Sequence, residues 1–152
     1  MCAGVEERVF LGCYEHVLDE KGRTSLPKDF RDRLATYDED PVLTAHADCL
    51  AIYPPDEFAR LREYYSQPGL NDARQRLKRL TIGMATLLNV DRQGRILIPA
   101  RLRELGGLQR DIVFLGLDQI IEIWDQAREQ RDISQTQNEF PELARLAGEI
   151  PR

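Results

Sequence analysis

The pattern Asp-x-x-Gly-Arg occurs twice in this chain, at residues 19–23 and, 72 residues later, at residues 91–95. Each copy is followed by a short segment that ends in a proline, Pro27 in the first copy and Pro99 in the second. A repeated motif inside a repeated frame indicates that one structural unit occurs twice in the chain. We therefore predict two related halves, residues 5–66 and 80–137, with a basic helical connection over 67–79 and a C-terminal tail over 138–152.

The match between the halves continues beyond the motif once one residue is dropped after Arg31. At the resulting offset of 71, residues 50–53 correspond to residues 121–124. Units of about 60 residues are only marginally stable alone, so the two halves are expected to pack around a shared core. Turn residues and apolar patterning predict the same order in each half, namely a β-hairpin, a short helix, a second β-hairpin and a longer helix.

The residues of the motif indicate a tight turn with a defined chemistry. An aspartate that opens a four-residue turn accepts hydrogen bonds from the free N–H groups of that turn, and the glycine at its end adopts a positive φ. We therefore expect Arg23 and Arg95 on the first residue of a returning strand, at the end of a local hairpin. The turn residues are Asp19 and Gly22 in the first copy and Asp91 and Gly94 in the second.

The charges of the chain are segregated along the sequence. The net charge is −5, which taken alone argues against a nucleic-acid partner. Residues 19–34, 71–80 and 91–103 nevertheless carry net charges of +1, +3 and +3, so the remainder of the chain carries −12. Because the distribution of charge attracts a polyanion locally, the motif-bearing segments favour contact with nucleic acid. Residues 71–80 are explained equally well as a solvated helix face.

Arg23 and Arg95 are the leading candidates for a binding role. A purely structural role is an ion pair in which Asp19 or Asp91 holds its own arginine. The functional alternative is a guanidinium displayed at a turn, where it grips phosphate or reads guanine N7 and O6 with two hydrogen bonds. The two roles are compatible, and the duplication of the motif favours the second. Further basic residues that could contact DNA phosphates are Lys21, Lys28, Arg31, Arg92, Arg101 and Arg103.

Patterns for catalysis, cofactors and metals are weak. Cys13-x-x-His16 and His46-x-x-Cys49 resemble zinc-ligand spacings. Residues 13 and 16 lie an odd number of positions apart on a predicted strand, so they point to opposite faces. No histidine lies near Ser25 in the sequence, and no Gly-x-Ser-x-Gly or phosphate-binding glycine loop is present. We predict a protein that is not an enzyme and has no cofactor, no metal and no small-molecule substrate.

The expected location is the cytoplasm, in association with the nucleoid. Three cysteines, at positions 2, 13 and 49, form no disulfide framework and suit a reducing compartment. No apolar run approaches the 18 residues that a membrane helix requires, and no basic-then-apolar leader is present. We therefore expect no membrane partner.

The chain resembles the MraZ family of bacterial regulators. The resemblance rests on both Asp-x-x-Gly-Arg copies, the proline that follows each one and the Tyr53-Pro54 segment, and it extends from Phe10 to Asp125. The start of the chain departs from the family pattern, because it is cysteine-rich and contains Glu6-Glu7.

The resemblance implies a mainly β (α+β) fold in which tandem AbrB-like swapped-hairpin units form one β-barrel, with helices after each unit. It also implies a homo-oligomeric ring that binds double-stranded DNA at short direct repeats in the promoter of its own division and cell-wall gene cluster. Family members act mainly as repressors. Carried over to this chain, the resemblance assigns the DNA-facing surface to Arg23 and Arg95 with their turns.

Two other classes of function stay open from the sequence. One is an antitoxin-like interaction protein of the AbrB/MazE type, although such chains usually hold one hairpin unit and a disordered acidic tail. The other is an enzyme or a metal protein whose site is assembled in space. The sequence does not specify the operator bases, the number of ring subunits, repression as opposed to activation, or any effector.

Overall fold

The computed structural model describes residues 9–69 and 71–151 of the chain. Within this part the chain forms eight strands and six helices. The strands are β1 (Phe10–Val17), β2 (Arg23–Ser25), β3 (Val42–His46), β4 (Cys49–Tyr53), β5 (Thr86–Leu87), β6 (Arg95–Leu97), β7 (Asp111–Asp118) and β8 (Ile120–Asp125). The helices are α1 (Lys28–Leu34), α2 (Pro55–Tyr65), α3 (Asp72–Thr81), α4 (Ala100–Leu105), α5 (Gln126–Asn138) and α6 (Phe140–Ala147).

The strands of the two predicted halves interlock. Six strands form one antiparallel sheet in the order β1-β7-β8-β4-β3-β5, and β2 pairs with β6 in a separate two-stranded ladder. Among the strand pairs of the described residues, only β3–β4 and β7–β8 lie within one half. The other ladders, β1–β7, β3–β5, β4–β8 and β2–β6, each join one half to the other. The two halves therefore form one folded unit.

The registers show that the repeat is also a spatial symmetry. Thr24 lies opposite Ile96 in the β2–β6 ladder, and these two residues are equivalent in the repeat. Ala51 lies opposite Glu122 in the β4–β8 ladder, and they are equivalent at the second offset. An antiparallel pair of equivalent residues lies on a twofold axis. An approximate twofold axis that relates the halves therefore passes through both ladders.

One hydrophobic core is shared by both halves, as expected for units too small to bury enough apolar surface alone. Phe10 and Phe30 from the first half and Ile96 and Ile98 from the second belong to the same buried cluster. The Phe10 and Phe30 rings pack edge to face with their centroids 5.7 Å apart. The two-stranded ladder covers one part of this core, because the side chains of its central pair, Thr24 and Ile96, are buried.

Two expectations about pairing are wrong. The turn at residues 19–22 reverses the chain, but β1 and β2 do not pair with each other as a local hairpin, since β1 pairs with β7 and β2 with β6. The order of elements predicted for each half places a full hairpin strand at the start of the second half, but the strand found there, β5, has only two residues. The chain before β5 is taken up by α3 and by the turn that follows it, which leaves fewer residues in extended conformation.

The predicted architecture is also corrected in two respects. The fold is mixed α+β and not mainly β, because the six helices together hold more residues than the eight strands. The six-stranded sheet does not close into a barrel, because β1 and β5 are its two edges, and the short β5 offers little backbone for a closing ladder. The similarity to AbrB-like swapped-hairpin units stays a prediction from the resemblance, and the half boundaries stay a prediction from the repeat.

The helix starts follow from local chemistry. The Asn71 side chain accepts the Arg74 N–H at 2.8 Å and caps α3, and the Asp125 side chain accepts the Arg128 N–H at 3.4 Å before α5.

Residues 5–8 of the predicted first half lie outside the described residues. Within residues 9–69 and 71–151, no helix combines the length and apolar character that a membrane crossing requires.

Candidate nucleic-acid interface

The fold brings the two copies of the motif together. We use the term motif ribbon for the β2–β6 ladder and its preceding turns, residues 19–25 and 91–97. In this ladder Arg23 lies opposite Leu97, and Ser25 lies opposite Arg95. Both strands alternate exposed, buried, exposed, so these four side chains share the solvent face of the ribbon. Diagonal neighbours in an antiparallel pair lie about 7–8 Å apart, and Arg23 and Arg95 are such neighbours.

The turn before each arginine has the predicted geometry, and the two copies are nearly identical. Asp19 Oδ1 accepts the backbone N–H of Lys21 at 2.9 Å and of Arg23 at 2.8 Å. Asp91 Oδ1 accepts the corresponding N–H groups at 2.8 and 2.9 Å. Gly22 and Gly94 have φ values of +89° and +78°, as the turn requires.

Each aspartate also binds the side chain of its arginine. Arg23 Nε donates to Asp19 Oδ2 at 3.0 Å, and Arg95 Nε donates to Asp91 Oδ2 at the same distance. Both arginine side chains are 43% exposed. Among the described residues, the Nη groups of these arginines have no hydrogen-bond partner. The aspartate thus orients each guanidinium while its two Nη groups stay free to bind a ligand.

The turns hold the two carboxyl groups in the ionised form. The backbone N–H of Arg23 has the largest effect and lowers the pKa of Asp19, against an opposing effect of desolvation. The side chain of Arg23 and the N–H of Lys21 lower it further. The pKa of Asp91 is lowered in the same way, first by the backbone N–H of Arg95. Ionised aspartates are the state that anchors the arginines at neutral pH.

The other predicted phosphate-contacting residues fall into two groups. Four of them are exposed, and two of these four form ion pairs along their own helix, Lys28 with Asp32 at 3.0 Å and Arg101 with Glu104 at 3.7 Å. Exposed pairs of this kind contribute little to stability, so these cations stay available to a polyanion. The exposed residues are Lys21, Lys28, Arg92 and Arg101. Arg31 and Arg103 form the second group, because they are only partly exposed and lie against the turns.

Ser25 and Leu97 belong to the face of the motif ribbon, although neither is part of the Asp-x-x-Gly-Arg motif. Leu97 is 56% exposed beside Arg23, and Ser25 lies opposite Arg95. The alternation of exposed and buried residues after each arginine is the signal that could have identified them. Any ligand that reaches both arginines also meets one hydroxyl and one apolar side chain.

No histidine lies near Ser25 in the sequence, but the fold brings His16 to it. The Ser25 hydroxyl lies 3.0 Å from His16 Nδ1, because β1 runs beside the motif ribbon. A nucleophile–base pair of a hydrolase also needs a group that orients the base. Among the described residues, His16 is not hydrogen-bonded to a carboxylate, so this pair lacks the third member of such a site.

The two zinc-like patterns do not converge on one place. His16 packs edge to face on Phe114 at 5.2 Å, whereas Cys13 on the same strand lies near Glu129 of α5. His46 Nε2 lies 3.6 Å from Glu122, and Cys49 is buried on the neighbouring strand. Within residues 9–69 and 71–151, no three groups of metal-ligating type are close enough to hold an ion.

The basic helix α3 is partly engaged inside the fold. The Arg74 guanidinium lies over the Tyr64 ring at 4.5 Å from its centroid, which joins α3 to α2. Thr44 of β3 donates from Oγ1 to the carbonyl of Thr81 at 2.5 Å and fixes the end of α3 on the sheet. Arg76 and Arg79 are exposed. This helix therefore combines a packed side with a solvated basic side, as the structural interpretation of residues 71–80 expected.

Comparison with known proteins identifies related sequences over most of the chain. One family model, described as "MraZ protein, putative antitoxin-like", matches residues 9–80 and again residues 81–147. The tandem match agrees with the two copies of the motif. A protein named "Transcriptional regulator MraZ" from Lachnoclostridium phytofermentans is 44% identical over 122 residues, which cover 79% of this chain and 84% of that protein.

Two further relatives with the same name cover still more of the chain. The protein from Pediococcus pentosaceus is 38% identical over 138 residues, or 90% of this chain and 94% of the relative. The protein from Halorhodospira halophila is 37% identical over 147 residues, or 93% of this chain and 97% of the relative. These names describe regulators and not enzymes.

Proposed function

The chain belongs to the MraZ family, and from this premise we propose that it is a DNA-binding regulator of transcription and not an enzyme. We propose further that it binds short direct repeats in the promoter of its own division and cell-wall gene cluster and acts there as a repressor. Its place of action is then the cytoplasm, in association with the nucleoid. The names of the relatives support the regulatory role, and the resemblance supports the finer assignments.

The observation that carries the proposal is the placement of Arg23 and Arg95 on one exposed face of a two-stranded ribbon. The major groove of B-DNA admits a two-stranded β-ribbon, and arginine reads guanine there through O6 and N7. With Nε bound to its aspartate, each guanidinium presents its two Nη groups toward such a partner. Two arginines about 7–8 Å apart can contact neighbouring base pairs or a base and a phosphate.

The surrounding cations suit contacts with the DNA backbone. Lys21 and Arg92 lie at the turns of the motif ribbon, and Lys28 and Arg101 lie on the helices that follow its strands. All four are exposed. Phosphate contacts of this kind fix register and orientation but carry no sequence information directly. We assign specificity to Arg23 and Arg95 and nonspecific affinity to these four residues.

One subunit offers few specific contacts, because each bidentate pair contributes only about 1–3 kcal/mol of discrimination. Several linked subunits that read several repeats would raise avidity by roughly 10²–10⁴. A ring on evenly spaced repeats meets this need. The exposed apolar side chains of α6, Phe140, Leu143 and Leu146, offer surface for contacts between subunits. Light scattering on the purified chain tests the ring, and a strictly monomeric protein at micromolar concentration contradicts it.

The DNA-binding assignment is tested with the variants Arg23→Ala and Arg95→Ala. We expect each variant to lose the gel shift on DNA from upstream of its own gene while its thermal stability stays close to wild type, because both side chains lie at the surface. Arg60→Ala is the matched control, since Arg60 is an exposed arginine that is ion-paired with Glu57 in α2, away from the motif ribbon. Unchanged DNA binding by the Arg23→Ala/Arg95→Ala double variant refutes the assignment.

An antitoxin-like interaction protein is the second candidate, and the wording of the family description favours it. In that case the main partner is a small toxin protein, and DNA binding is secondary. Affinity purification of the full chain from its own organism separates the two. The antitoxin role is supported if a small protein co-purifies in stoichiometric amount and the chain becomes dispensable in cells that lack that protein. The regulator role is supported if a promoter fragment is recovered without such a protein.

A further inference from the structure

Arg103 of α4, in the second half, lies against the Asp-x-x-Gly-Arg turn of the first half. Its Nε donates to the carbonyl of Ile98 at 3.0 Å, and its Nη1 lies 3.5 Å from the carbonyl of Glu20. Ile98 in turn donates its N–H to the carbonyl of Gly22 at 2.7 Å. A Cβ added to Gly22 would lie 2.8 Å from Arg103 Nε, so the guanidinium occupies the space that a side chain at position 22 would need.

The other half repeats the packing part of this contact. Arg31 is the equivalent of Arg103 at the offset of 72, and it lies on α1 in the first half. A Cβ added to Gly94 would overlap Arg31 Nη1 and lie 3.0 Å from Arg31 Cζ. Leu26 donates its N–H to the carbonyl of Gly94 at 2.9 Å, as Ile98 does to Gly22. Each helix arginine therefore packs on the turn of the opposite half.

We propose that Arg31 and Arg103 are positioning residues that act across the twofold axis: Arg103 holds the turn that carries Arg23, and Arg31 holds the turn that carries Arg95. The proposal rests on the proposed DNA-binding function and replaces the assignment of these two residues to phosphate contacts. In this arrangement neither half orients its own arginine alone. The two DNA-reading arginines are coupled through the helices that follow the motif ribbon.

Three observations distinguish this role from a phosphate contact. Arg31 and Arg103 are only partly exposed, whereas Lys21, Arg92 and the reading arginines are exposed. The Arg103 guanidinium is directed at two main-chain carbonyls, that of Glu20 in the first-half turn and that of Ile98, whose own N–H binds the Gly22 carbonyl of the turn. Finally, glycine at positions 22 and 94 leaves room for the guanidinium in addition to permitting the positive φ. A freely solvated cation would need no such space.

The salt dependence of DNA binding separates the two roles. A lost phosphate contact lowers the slope of log K against log salt by about 0.9 on duplex DNA. We expect Arg103→Ala to weaken binding on the order of tenfold with an unchanged slope, because the chain keeps all its phosphate contacts. Lys21→Ala is the control that should lower the slope. A slope that falls by about 0.9 in Arg103→Ala overturns the proposal.

A lysine substitution provides an independent test. Arg103→Lys keeps a point charge for phosphate but loses the planar guanidinium whose Nε binds Ile98. A positioning role predicts that Arg103→Lys binds DNA nearly as weakly as Arg103→Ala. Binding restored to the wild-type level by lysine contradicts the positioning role.

A double-mutant cycle, measured at low salt so that the weakened variants still bind DNA, tests whether Arg103 acts across the twofold axis. Arg103→Ala combined with Arg23→Ala should weaken binding by much less than the product of the two single effects, because both variants impair the same DNA contact, that of Arg23. Arg103→Ala combined with Arg95→Ala should be close to multiplicative. The reverse pattern, with Arg103 coupled to Arg95 of its own half, overturns the proposal.

Limited trypsin digestion gives a readout that needs no DNA. Cleavage requires local opening of the turn, so loss of the guanidinium should expose the opposite half selectively. We expect Arg103→Ala to speed cleavage after Lys21 and Arg23, and Arg31→Ala to speed cleavage after Arg92 and Arg95. Equal acceleration at both turns indicates general destabilisation and contradicts the proposal. If the wild type fails to bind DNA, the proposed function falls, while the digestion pattern still decides whether the positioning contact exists.

Discussion

Ala51 and Glu122 lie directly opposite each other in the ladder between β4 and β8, at two positions that the repeat makes equivalent. Only one of them carries a charge. Glu122 is 9% exposed, and its Oε1 accepts the indole N–H of Trp124 at 2.8 Å. Its Oε2 lies 3.6 Å from His46 Nε2. The approximate symmetry is thus broken at the centre of the sheet by one buried carboxylate and its partners.

The bond between Trp124 and Glu122 should be the stronger of these two interactions. We expect a double-mutant cycle of Glu122→Ala and Trp124→Phe to give a coupling of about 1–3 kcal/mol in the free energy of unfolding, because each single variant leaves a largely buried partner unsatisfied. Urea unfolding at pH 8 measures it.

The control is the cycle of Glu122→Ala with His46→Ala at the same pH. The His46 side chain is 41% exposed, and its Nε2 lies 3.6 Å from Glu122, beyond a normal hydrogen-bond distance. We therefore expect a coupling below about 1 kcal/mol. A His46 coupling that exceeds the Trp124 coupling would show that the ion pair dominates this site.

Substitution of the turn glycines should destabilise the fold beyond the cost of the backbone conformation. Gly69→Ala is the matched control, because Gly69 has a φ of +78° and no atom lies within 4 Å of its added Cβ. An alanine there should cost about 1–2 kcal/mol. Gly22→Ala should cost about 1–3 kcal/mol more, because its Cβ would lie 2.5 Å from the carbonyl of Ile98. Equal losses in urea unfolding would show that only the conformation matters.

The turn aspartates should make the free energy of unfolding depend on pH in the acidic range. The folded pKa values of Asp19 and Asp91 are lowered, so their contribution is fully present above the unfolded value, near 3.9, and is lost as the pH falls through the folded values. We expect the stability difference between wild type and the Asp19→Asn/Asp91→Asn variant to be constant from pH 7 to about 5 and to shrink below about pH 4.

Chemical denaturation across this pH series measures the difference. Asp38→Asn, at an exposed loop residue, is the control for the removal of a surface carboxylate. A difference that grows toward low pH would mean that the turns favour the protonated aspartates.

The two described cysteines should differ in reactivity. Burial, together with the nearby Glu122 carboxylate, raises the pKa of the Cys49 thiol far above its ordinary value, and the side chain is 1% exposed. Partial burial with Glu129 and Glu15 also raises the pKa of Cys13, but that residue is exposed. Because the thiolate reacts, iodoacetamide at pH 8 should label Cys49 on the order of 100-fold more slowly than Cys13.

Peptide mass spectrometry measures both rates. In guanidinium chloride the two rates should become similar, which controls for intrinsic reactivity. Rapid labelling of Cys49 in the native protein would indicate that the sheet centre opens on the time scale of the reaction.

The sequence by itself determined the local structure of the turns and helix starts. An aspartate that accepts the N–H groups of its own turn and a glycine at positive φ act within five residues, so both motif turns could be predicted. The same is true of the α3 start after Asn71, whose side chain bonds three residues on. The repeat could be predicted as well, because equivalence of residues is a property of order along the chain.

The partners of those local elements were decided only in three dimensions. A strand pattern specifies which face is buried but not which strand lies alongside, so β2 was expected beside β1 and instead pairs with β6. The pairing of strands between the halves buries the apolar side chains of both halves in one core that neither half could complete alone. The same pairing between the halves places Arg103 against Gly22. These residues lie 81 positions apart, so no local sequence pattern predicts their contact.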